Sequence, residues 1–537
     1  MTRLSTIRCY AVLSWAAIAL GGCKAQAPAE KRPNILFVLA DDQSFPYASA
    51  YGTPGISTPA FDEVARKGIL FYDAFAAAPQ CSPSRAAILT GKEIWQLAEA
   101  GTHGSSFPRK FEVFTDLLES AGYQIGYTGK PWAPGDWKTT GWKRNPVGPE
   151  YDREKLSPPT SAISKVDYYG NFVDFFQETK RDKPFFFWFG SHEPHRAYTP
   201  GSGIRAGLDP MKAFVPDFLP DDSIVRSDIL DYTLEIQWYD QQLGKILKFL
   251  KEQGALENTL IVVTSDNGMP FPSAKANLMD YGSHVPLAIC WPGRIKPGGV
   301  SHDLVSLTDL APTFLAVADV KPVPAMTGKS LVPLWQGEDS AGRQPHRRFV
   351  LTGRERHSDS RPDDLGYPSR AIRTANFLLI LNLKPDRWPA GNPAPAVKPP
   401  LAPPGANPKD FKPIGLGYED IDEPSPTKML MADNPGRWPR MFAEGFAKRP
   451  EVELYDVQRD PGCTENLASD PAFGVVRDSL ERILKERLTA EGDPRMLGYG
   501  DIFESYPRFG LMRNWGGFQK RGEYNPAFEV KNNPEKK

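Results

Sequence analysis

Continuous apolar runs, each about as long as one strand, recur through the N-terminal part of the chain. They occupy residues 34–40, 184–190, 259–264 and 286–291. Their length and their branched and aromatic side chains predict strands that are buried on both faces of a sheet. Between the runs, the clearest helical periodicity covers residues 228–252, with Gly254 where a C-terminal cap belongs. Strands that alternate with helices predict an α/β fold with a large, mostly parallel sheet flanked by helices.

After about residue 337 the pattern changes to shorter apolar runs between long polar segments. Strands are predicted at residues 349–352, 371–383 and 452–457. A proline-rich stretch covers residues 384–450, and helical periodicity returns over residues 473–488. These features predict a smaller C-terminal α+β subdomain that contains an antiparallel sheet. We divide the chain accordingly into residues 34–340, 341–498 and a tail at 499–537.

The first 23 residues have the pattern of an export signal. Arg3 and Arg8 precede an apolar run over residues 10–20, which is too short to cross a bilayer as a helix. The signal ends in LGGC at Cys23, which resembles the lipobox of bacterial lipoproteins and implies a lipid on that cysteine. The alternative is an ordinary secretory signal. We expect an exported protein with a tether at residues 24–33, lipid-anchored at the bacterial outer membrane or facing the periplasm.

Composition narrows the classes of protein that this pattern allows. The 537 residues are 40% hydrophobic, 24% charged and 11% aromatic, which is typical of a folded globular protein. The formal net charge of −1 shows no basic excess of the kind found in nucleic-acid binders, so we expect no such partner. A local group of Lys and Arg could still hold a polyanion. The five cysteines are widely spaced and indicate neither a disulfide framework nor a CxxC metal site.

Polar clusters follow three of the predicted strands. Asp41 and Asp42 follow the first, SHEPH occupies residues 191–195 after the second, and SDNG occupies residues 265–268 after the third. Because ligands of α/β sheets bind at the carboxyl ends of the strands, these clusters predict a site at that edge. Their carboxylates and amide are the hard oxygen ligands that Ca²⁺ prefers.

The segment from Cys81 to Gly91, CSPSRAAILTG, carries the most specific signal. It resembles the signature of type I sulfatases, in which the Cys of C-x-P-x-R is oxidised to formylglycine. The resemblance implies an alkaline phosphatase-like fold and a maturation enzyme that modifies Cys81. Hydrated formylglycine is a geminal diol: one oxygen attacks sulfur and the other later expels sulfate, which divides a difficult displacement into two easier steps. The alternative is a structural Cys at the start of a helix shaped by Pro83.

The resemblance also assigns roles to other residues. A Ca²⁺ ion would be held by Asp41, Asp42, Cys81, Asp266 and Asn267. Arg85, one helical turn beyond the cysteine, would neutralise the oxyanion of the diol. Lys130 and Lys275 would bind the sulfate group, and His195 would protonate the leaving group as general acid. His192 is expected to have a structural hydrogen-bonding role.

Among type I sulfatases, the chain is most similar to the heparan N-sulfatases, or sulfamidases. The similarity is carried by residues 189–196 (FGSHEPHR), 264–273 (TSDNGMPFPS) and 453–456 (ELYD). Two positions depart from the family pattern. Lys275 replaces an Arg, and Trp132, which we expect in the sulfate pocket or stacked on a sugar, replaces a His that helps to discharge sulfate. The base for that step is unassigned; His103 and His357 are candidates, or are polar loop residues or substrate contacts.

These observations predict an enzyme that hydrolyses sulfate from a carbohydrate, with N-sulfoglucosamine of heparin-like glycans as the first candidate substrate. Three alternatives are an O-sulfatase of another polysaccharide, a phosphate or phosphonate monoester hydrolase of the same superfamily, and an inactive protein that binds sulfated glycans. The complete set of predicted site residues argues against the last. The expected partners are a sulfated saccharide and the maturation enzyme, with membrane contact only through the lipid.

Overall fold

The computed structural model describes residues 32–180, 182–336, 344–362, 365–393, 417–506 and 508–509. The predicted export signal, the lipid-bearing Cys23 and the tether up to residue 31 lie outside these residues. So do residues 394–416 of the proline-rich stretch, most of the tail and the predicted domain boundary at residue 340. Within the part of the chain that is described, no helix is both long enough and apolar enough to cross a membrane.

The larger sheet contains eight strands of the described residues. They are β1 (Asn34–Ala40), β2 (Ile69–Phe75), β3 (Gln124–Gly129), β4 (Phe185–Gly190), β5 (Thr259–Ser265), β6 (His284–Cys290), β7 (Gly299–Ser301) and β8 (Val305–Ser306). Their order is β3-β4-β1-β5-β6-β2-β7, and β8 also pairs with β2. Only β6 is antiparallel to its neighbours β5 and β2 in this described sheet. The mostly parallel sheet predicted from the apolar runs is therefore confirmed.

Helices cover both faces of the large sheet and also occur in the C-terminal part of the chain. The helices of the described residues are α1 (Pro59–Lys67), α2 (Cys81–Thr90), α3 (Phe114–Ser120), α4 (Tyr168–Glu178), α5 (Ser202–Arg205), α6 (Ser223–Glu252), α7 (Asp280–Ser283), α8 (Leu310–Val317), α9 (Pro333–Gln336), α10 (Pro426–Asp433), α11 (Pro439–Phe446), α12 (Gly474–Ala490) and α13 (Ile502–Ser505). Alternate residues of β1 point to opposite faces: Ile35 and Phe37 join one apolar cluster, and Leu36 and Val38 join another. The sheet thus lies between two apolar cores.

Helix α6 begins earlier than its apolar periodicity predicts. Asp222 caps the helix, because its side chain accepts a hydrogen bond from the Ile224 amide at 3.0 Å. The added first turn contributes one residue to the buried apolar stripe, since Val225 is buried four residues before Ile229. Gly254 follows the helix with a φ of +67°, in agreement with the predicted cap position.

The smaller sheet is antiparallel, as predicted. Its strands, in the order β12-β11-β10-β9, are β9 (Val350–Arg354), β10 (Ser369–Arg373), β11 (Phe377–Asn382) and β12 (Val452–Asp456). The run predicted at residues 371–383 forms two of these strands, because Thr374 and Phe377 close a turn with a 2.8 Å backbone hydrogen bond. Arg373 of β10 forms a buried ion pair with Asp280 of α7 at 2.9 Å, which connects the smaller sheet with the segment that follows β5.

Candidate active site

The register of β1 and β5 brings two of the predicted polar clusters together. The strands are parallel neighbours and Ala40 pairs with Ser265, so the residues that follow both strands leave the sheet side by side. The Asp42 amide donates to Asp266 Oδ1 at 3.1 Å, and Asn267 Nδ2 donates to Asp42 Oδ1 at 2.8 Å. Asp42 has a φ of +74°, which is uncommon outside glycine and turns the chain sharply at the strand end.

Cys81 is the first residue of α2 and faces this acidic cluster. Its side chain is buried, and Sγ lies 3.7 Å from Asp42 Oδ1. Burial, followed by the charge of Asp41, raises the pKa of the Cys81 thiol well above its usual value. The unmodified side chain is therefore a neutral thiol at neutral pH rather than a reactive thiolate.

Arg85 lies one turn further along α2 and is completely buried. Its Nε donates to Asp266 Oδ2 at 2.7 Å, and its Nη2 lies 3.5 Å from Asp41 Oδ1. Its Nη1 donates to the carbonyl oxygen of Lys130 at 2.7 Å. The guanidinium thus connects α2 with the ends of three strands, and its positive charge interacts electrostatically with the Cys81 side chain.

Two lysines complete the charge balance of the cluster. Lys130 follows β3 and donates from Nζ to both carboxylate oxygens of Asp41, at 2.7 and 2.5 Å. Lys275 follows β5 and donates from Nζ to Asp42 Oδ2 and to Asp422 Oδ2, at 2.6 Å each. Burial opposes the charge on Lys275, but the two carboxylates outweigh it and raise the pKa of the lysine well above its usual value. Both ammonium groups are therefore fixed beside the predicted metal ligands.

The donor set fits a Ca²⁺ ion. One ligand atom from each of four side chains lies within 4.8 Å of the others, and these residues are Asp41, Asp42, Cys81 and Asp266. Two ligands of one Ca²⁺, each at about 2.4 Å, are at most about 5 Å apart, so these atoms can share an ion. Asn267 Oδ1 is buried and accepts no hydrogen bond from the described residues. Such an unpaired oxygen is costly unless a ligand satisfies it, so Asn267 Oδ1 fits the part of the fifth predicted donor.

The segment after β4 is held in place by buried polar contacts. Glu193 accepts hydrogen bonds from the hydroxyl groups of Ser191 and Tyr168, both at 2.7 Å. Arg196 forms a buried, bidentate ion pair with Asp228 of α6, with the shorter contact at 2.7 Å. Because both ends of the segment are anchored in this way, the residues between them have a fixed position at the rim of the site.

His195 lies at the mouth of the site between two carboxylates. Its Nε2 is 3.8 Å from Asp42 Oδ2 and 3.7 Å from Asp422 Oδ2, and its side chain is 34% exposed. A partly exposed imidazole in this position can deliver a proton to a leaving group. His192 is exposed, and no described residue hydrogen-bonds to its ring; its backbone amide donates to the Tyr168 hydroxyl group at 3.0 Å.

Trp132 does not have the position that we predicted from the sequence. The residue is only 1% exposed, and its indole Nε1 donates to the Ser82 carbonyl oxygen at 3.0 Å. Its ring packs edge-on against Phe107, with the centroids 5.0 Å apart. Trp132 therefore supports the start of α2 from behind and is not available to stack on a sugar.

A cleft of about 600 Å³ opens over the cluster. Its lining includes Asp41, Cys81, His103, Lys130, His195 and Glu235. Of the two candidate histidines, His103 lines the cleft, whereas His357 is buried with its Nδ1 2.9 Å from Asp420 Oδ1. Sequence reasoning missed Glu235, which has the pattern of a solvent-facing helix residue, and Asp422, whose only signal is an acidic run within the proline-rich stretch.

A mixed α/β sheet with this acidic cluster at the carboxyl ends of β1 and β5 defines an alkaline phosphatase-like hydrolase. More specifically, residues 33–320 match the sulfatase family model, and the chain belongs to the sulfatase family. As a member of that family it is a sulfuric ester hydrolase.

Similar proteins are found among both sequences and structures. The chain is 30% identical to N-sulphoglucosamine sulphohydrolase of Homo sapiens, over 91% of this chain and 95% of the relative. It is 28% identical to an ulvan-active sulfatase of Formosa agariphila, over 88% of this chain and 82% of the relative. A structure solved with its substrate D-glucosamine-2-N,6-O-disulfate has a TM-score of 0.59 at 21% identity, over 87% of this chain and 99% of that chain, and shows the same fold.

Proposed function

We propose that this protein removes sulfate from a sulfated sugar, with formylglycine made from Cys81 as nucleophile and Ca²⁺ as metal ion. The observation that carries the proposal is the position of Cys81 at the start of α2, with Sγ 3.7 Å from Asp42 and within one sphere of metal-ligating atoms. Asn267 Oδ1 lies buried in the same cluster and accepts no hydrogen bond from the described residues, which is costly unless a ligand satisfies the oxygen.

The nucleophile has to be made from Cys81, because the thiol itself is not activated. Its raised pKa leaves little thiolate at neutral pH. A hydrated formylglycine would supply a hydroxyl for attack on sulfur, and a bound Ca²⁺ would polarise the sulfate oxygens and lower the pKa of that hydroxyl. Asp41, Asp42, Asp266 and Asn267, together with residue 81, would hold the ion.

The remaining residues of the site bind charge and move a proton. Lys130 and Lys275 would hold the sulfate oxygens through ammonium groups whose positions are already fixed by ion pairs. Arg85 would neutralise the oxyanion at residue 81 from a completely buried position. His195, at the mouth of the cleft, would donate a proton from Nε2 to the leaving oxygen or nitrogen of the sugar.

The first candidate substrate is an N-sulfated glucosamine unit. The human relative is named for N-sulphoglucosamine, and a sugar nitrogen is a poor leaving group that gains strongly from protonation by His195. An O-sulfated polysaccharide is the second candidate, since the relative from Formosa agariphila is named as ulvan-active. A phosphate or phosphonate monoester is the third, because the same cations would also bind those anions.

The proposal includes a maturation enzyme and a membrane anchor. Conversion of Cys81 requires a formylglycine-generating or equivalent enzyme, and the lipobox-like sequence at Cys23 supports export with lipid attachment. Lys24 follows the cysteine, which favours the outer membrane over retention at the inner membrane. The anchor is tested by fractionation of cells that carry Cys23→Ser: the variant should be soluble, and full membrane association would contradict the proposal.

The catalytic proposal is tested on protein that is co-expressed with a formylglycine-generating enzyme. Mass spectrometry of the peptide that contains residue 81 should show the aldehyde. Sulfate release is measured from glucosamine N-sulfate, glucosamine 6-O-sulfate and ulvan oligosaccharides, with phenyl phosphonate and phenyl phosphate as the competing esters. Release from the O-sulfated sugars alone would favour the second candidate.

Cysteine variants provide the matched comparison. Cys81→Ala should fold and release no sulfate, whereas Cys290→Ala, which removes another buried free thiol in β6, should keep its activity. Activity of more than a few per cent in Cys81→Ala, or an unmodified Cys81 in fully active protein, would contradict the proposed nucleophile.

A further inference from the structure

The backbone that follows Cys81 is held from two sides. On one side, the Trp132 indole donates to the Ser82 carbonyl oxygen at 3.0 Å. On the other side, the Gly104 amide donates to Ser82 Oγ at 3.1 Å. Trp132 has no group that can accept a proton, but the residue before Gly104 is His103. The second contact therefore holds the residue that follows His103 against the first turn of α2.

His103 lines the same cleft as Cys81 and Lys130. Its backbone amide donates to the Arg356 carbonyl oxygen at 3.1 Å, and its ring lies 4.5 Å from the ring of His357, centroid to centroid. The side chain is only 8% exposed, so its orientation is determined by packing and not by solvent.

The tautomer of His103 is determined by one hydrogen bond. Its Nδ1 lies 2.9 Å from the carbonyl oxygen of His357, and a carbonyl can only accept, so Nδ1 carries the hydrogen. The lone pair is then on Nε2, at the opposite edge of the ring, and none of the described residues hydrogen-bonds to that atom. His357 is itself held by Asp420, which also accepts hydrogen bonds from Arg354 and Arg361.

Three other groups of the cleft are less suited to accept a proton. Burial raises the pKa of Glu235 to about 9, so this carboxyl group is already protonated at neutral pH. Glu193 is occupied by two hydroxyl donors, and Lys130 is an ammonium in an ion pair. In contrast, burial and the neighbouring positive charges lower the pKa of His103 well below its usual value, so its ring is neutral.

Resting on the proposed function, we infer that His103 is the catalytic base that releases sulfate from residue 81. After sulfur transfer, residue 81 carries one free hydroxyl and one sulfate ester on the same carbon. His103 Nε2 takes the proton of the free hydroxyl, the C=O bond re-forms, and the C–O bond to sulfate breaks with its electron pair leaving on sulfate. Water then adds to the aldehyde to restore the diol, and the proton on His103 passes to solvent.

The test separates the release of the sugar from the release of sulfate. His103→Asn is the informative variant, because the asparagine amide can still donate to the His357 carbonyl oxygen while the Nε2 acceptor is lost. The converted variant is mixed with glucosamine N-sulfate and glucosamine 6-O-sulfate. We expect about one equivalent of desulfated sugar in a rapid first turnover, followed by turnover that is about 100-fold slower or more. Mass spectrometry should show residue 81 with one sulfate attached.

His192→Asn is the matched control, since His192 is a second histidine of the cleft with no described hydrogen bond to its ring. It should accumulate no sulfated enzyme. His103→Ala should behave like His103→Asn and regain sulfate release when imidazole is added. A sulfated adduct in His192→Asn, or a His103→Asn enzyme that loses its rapid first turnover and forms no adduct, would overturn the inference. If the converted wild-type protein releases sulfate from neither sugar and not from ulvan oligosaccharides, the proposed function fails instead.

Discussion

Lys275 Nζ lies 2.6 Å from Asp422 Oδ2, and this ion pair joins the loop after β5 to the segment before α10. The same ammonium lies 2.6 Å from Asp42 Oδ2. One lysine therefore connects a predicted metal ligand with a carboxylate from the C-terminal part of the chain. Asp422 is thus a second carboxylate that holds this ammonium, although no sequence motif identifies the residue.

We expect Asp422→Asn to weaken sulfate binding. The neutral amide holds Lys275 less tightly, so the ammonium shifts toward Asp42 and is displaced from the sulfate. A hydrogen bond to a charged group contributes about 1.5–3 kcal/mol, so the kcat/KM for the sulfated sugar should fall by about 10-fold or more, mainly through KM. Asp221→Asn, which removes an exposed ion pair with Arg226, is the control and should leave kcat/KM unchanged. An unchanged KM in Asp422→Asn would show that Lys275 does not need the Asp422 carboxylate in order to bind sulfate.

Calcium should stabilise the protein through the acidic cluster. A ligand that binds only the folded state raises the melting temperature by mass action, so Tm measured in Ca²⁺ should exceed Tm measured in a chelator. Asp42→Asn should abolish this difference, and Mg²⁺ should produce a smaller one because it demands a tighter octahedral site. Asp478→Asn changes an exposed carboxylate on α12 and should respond to Ca²⁺ like the wild type. A full Ca²⁺ response in Asp42→Asn would place the ion elsewhere.

Arg85→Lys should damage both the fold and the activity. The planar guanidinium donates to Asp266 and to the Lys130 carbonyl oxygen at the same time, and a lysine ammonium cannot reproduce that fork. Breaking a buried ion pair costs about 3 kcal/mol or more, and loss of one oxyanion donor lowers kcat by about 100-fold. Urea unfolding and initial rates measure the two effects. Arg226→Lys alters an exposed ion pair and should change neither the urea midpoint nor the initial rate. If Arg85→Lys also changes neither quantity, the role assigned to the guanidinium is contradicted.

Part of this site could be predicted from the sequence because its residues follow strands directly. Asp41 and Asp266 each come directly after a buried strand. The pairing of Ala40 with Ser265 is what a parallel sheet with those two strands as neighbours produces. Local motifs then predicted oxygen ligands and Cys81, and the structure brings Asp41, Asp42 and Asp266 together with Cys81.

Other features depend on packing between distant segments and have no local signal. Lys275 and Asp422 are 147 residues apart in sequence, and only the folded chain brings them together. The position of Trp132 also depends on distant residues, since Phe107 and Ser82 bury its ring. A polar residue within a helix pattern, such as Glu235, is predicted to face solvent unless the neighbouring segments are known.

The stability of the protein should fall in acid through Asp309. Burial alone would raise its pKa, but Arg347 and His346 outweigh burial and lower the pKa of Asp309 to about 2. Because the folded pKa is below the unfolded value, the contribution is complete above about pH 4 and is lost as pH falls toward 2; it amounts to about 2 kcal/mol. Urea midpoints should decrease over this range, and less steeply in Asp309→Asn. In Asp478→Asn the urea midpoint should decrease with falling pH as steeply as in the wild type. An equally steep decrease in Asp309→Asn would show that Asp309 does not cause the loss of stability in acid.

Replacement of Trp132 separates a supporting role from contact with the sugar. In Trp132→Phe the aromatic packing on Phe107 is retained, but the Ser82 carbonyl oxygen loses its indole donor in a buried position. An unpaired buried acceptor costs about 1–3 kcal/mol, so the urea midpoint should decrease measurably. Because the Trp132 side chain is only 1% exposed, the ratio of kcat/KM between N-sulfated and O-sulfated glucosamine should stay within about 2-fold of the wild type. Tyr499→Phe, at a residue that is 40% exposed, controls for general effects of an aromatic replacement. A selective loss of activity toward one sugar in Trp132→Phe, with an unchanged midpoint, would mean that the ring contacts substrate after all.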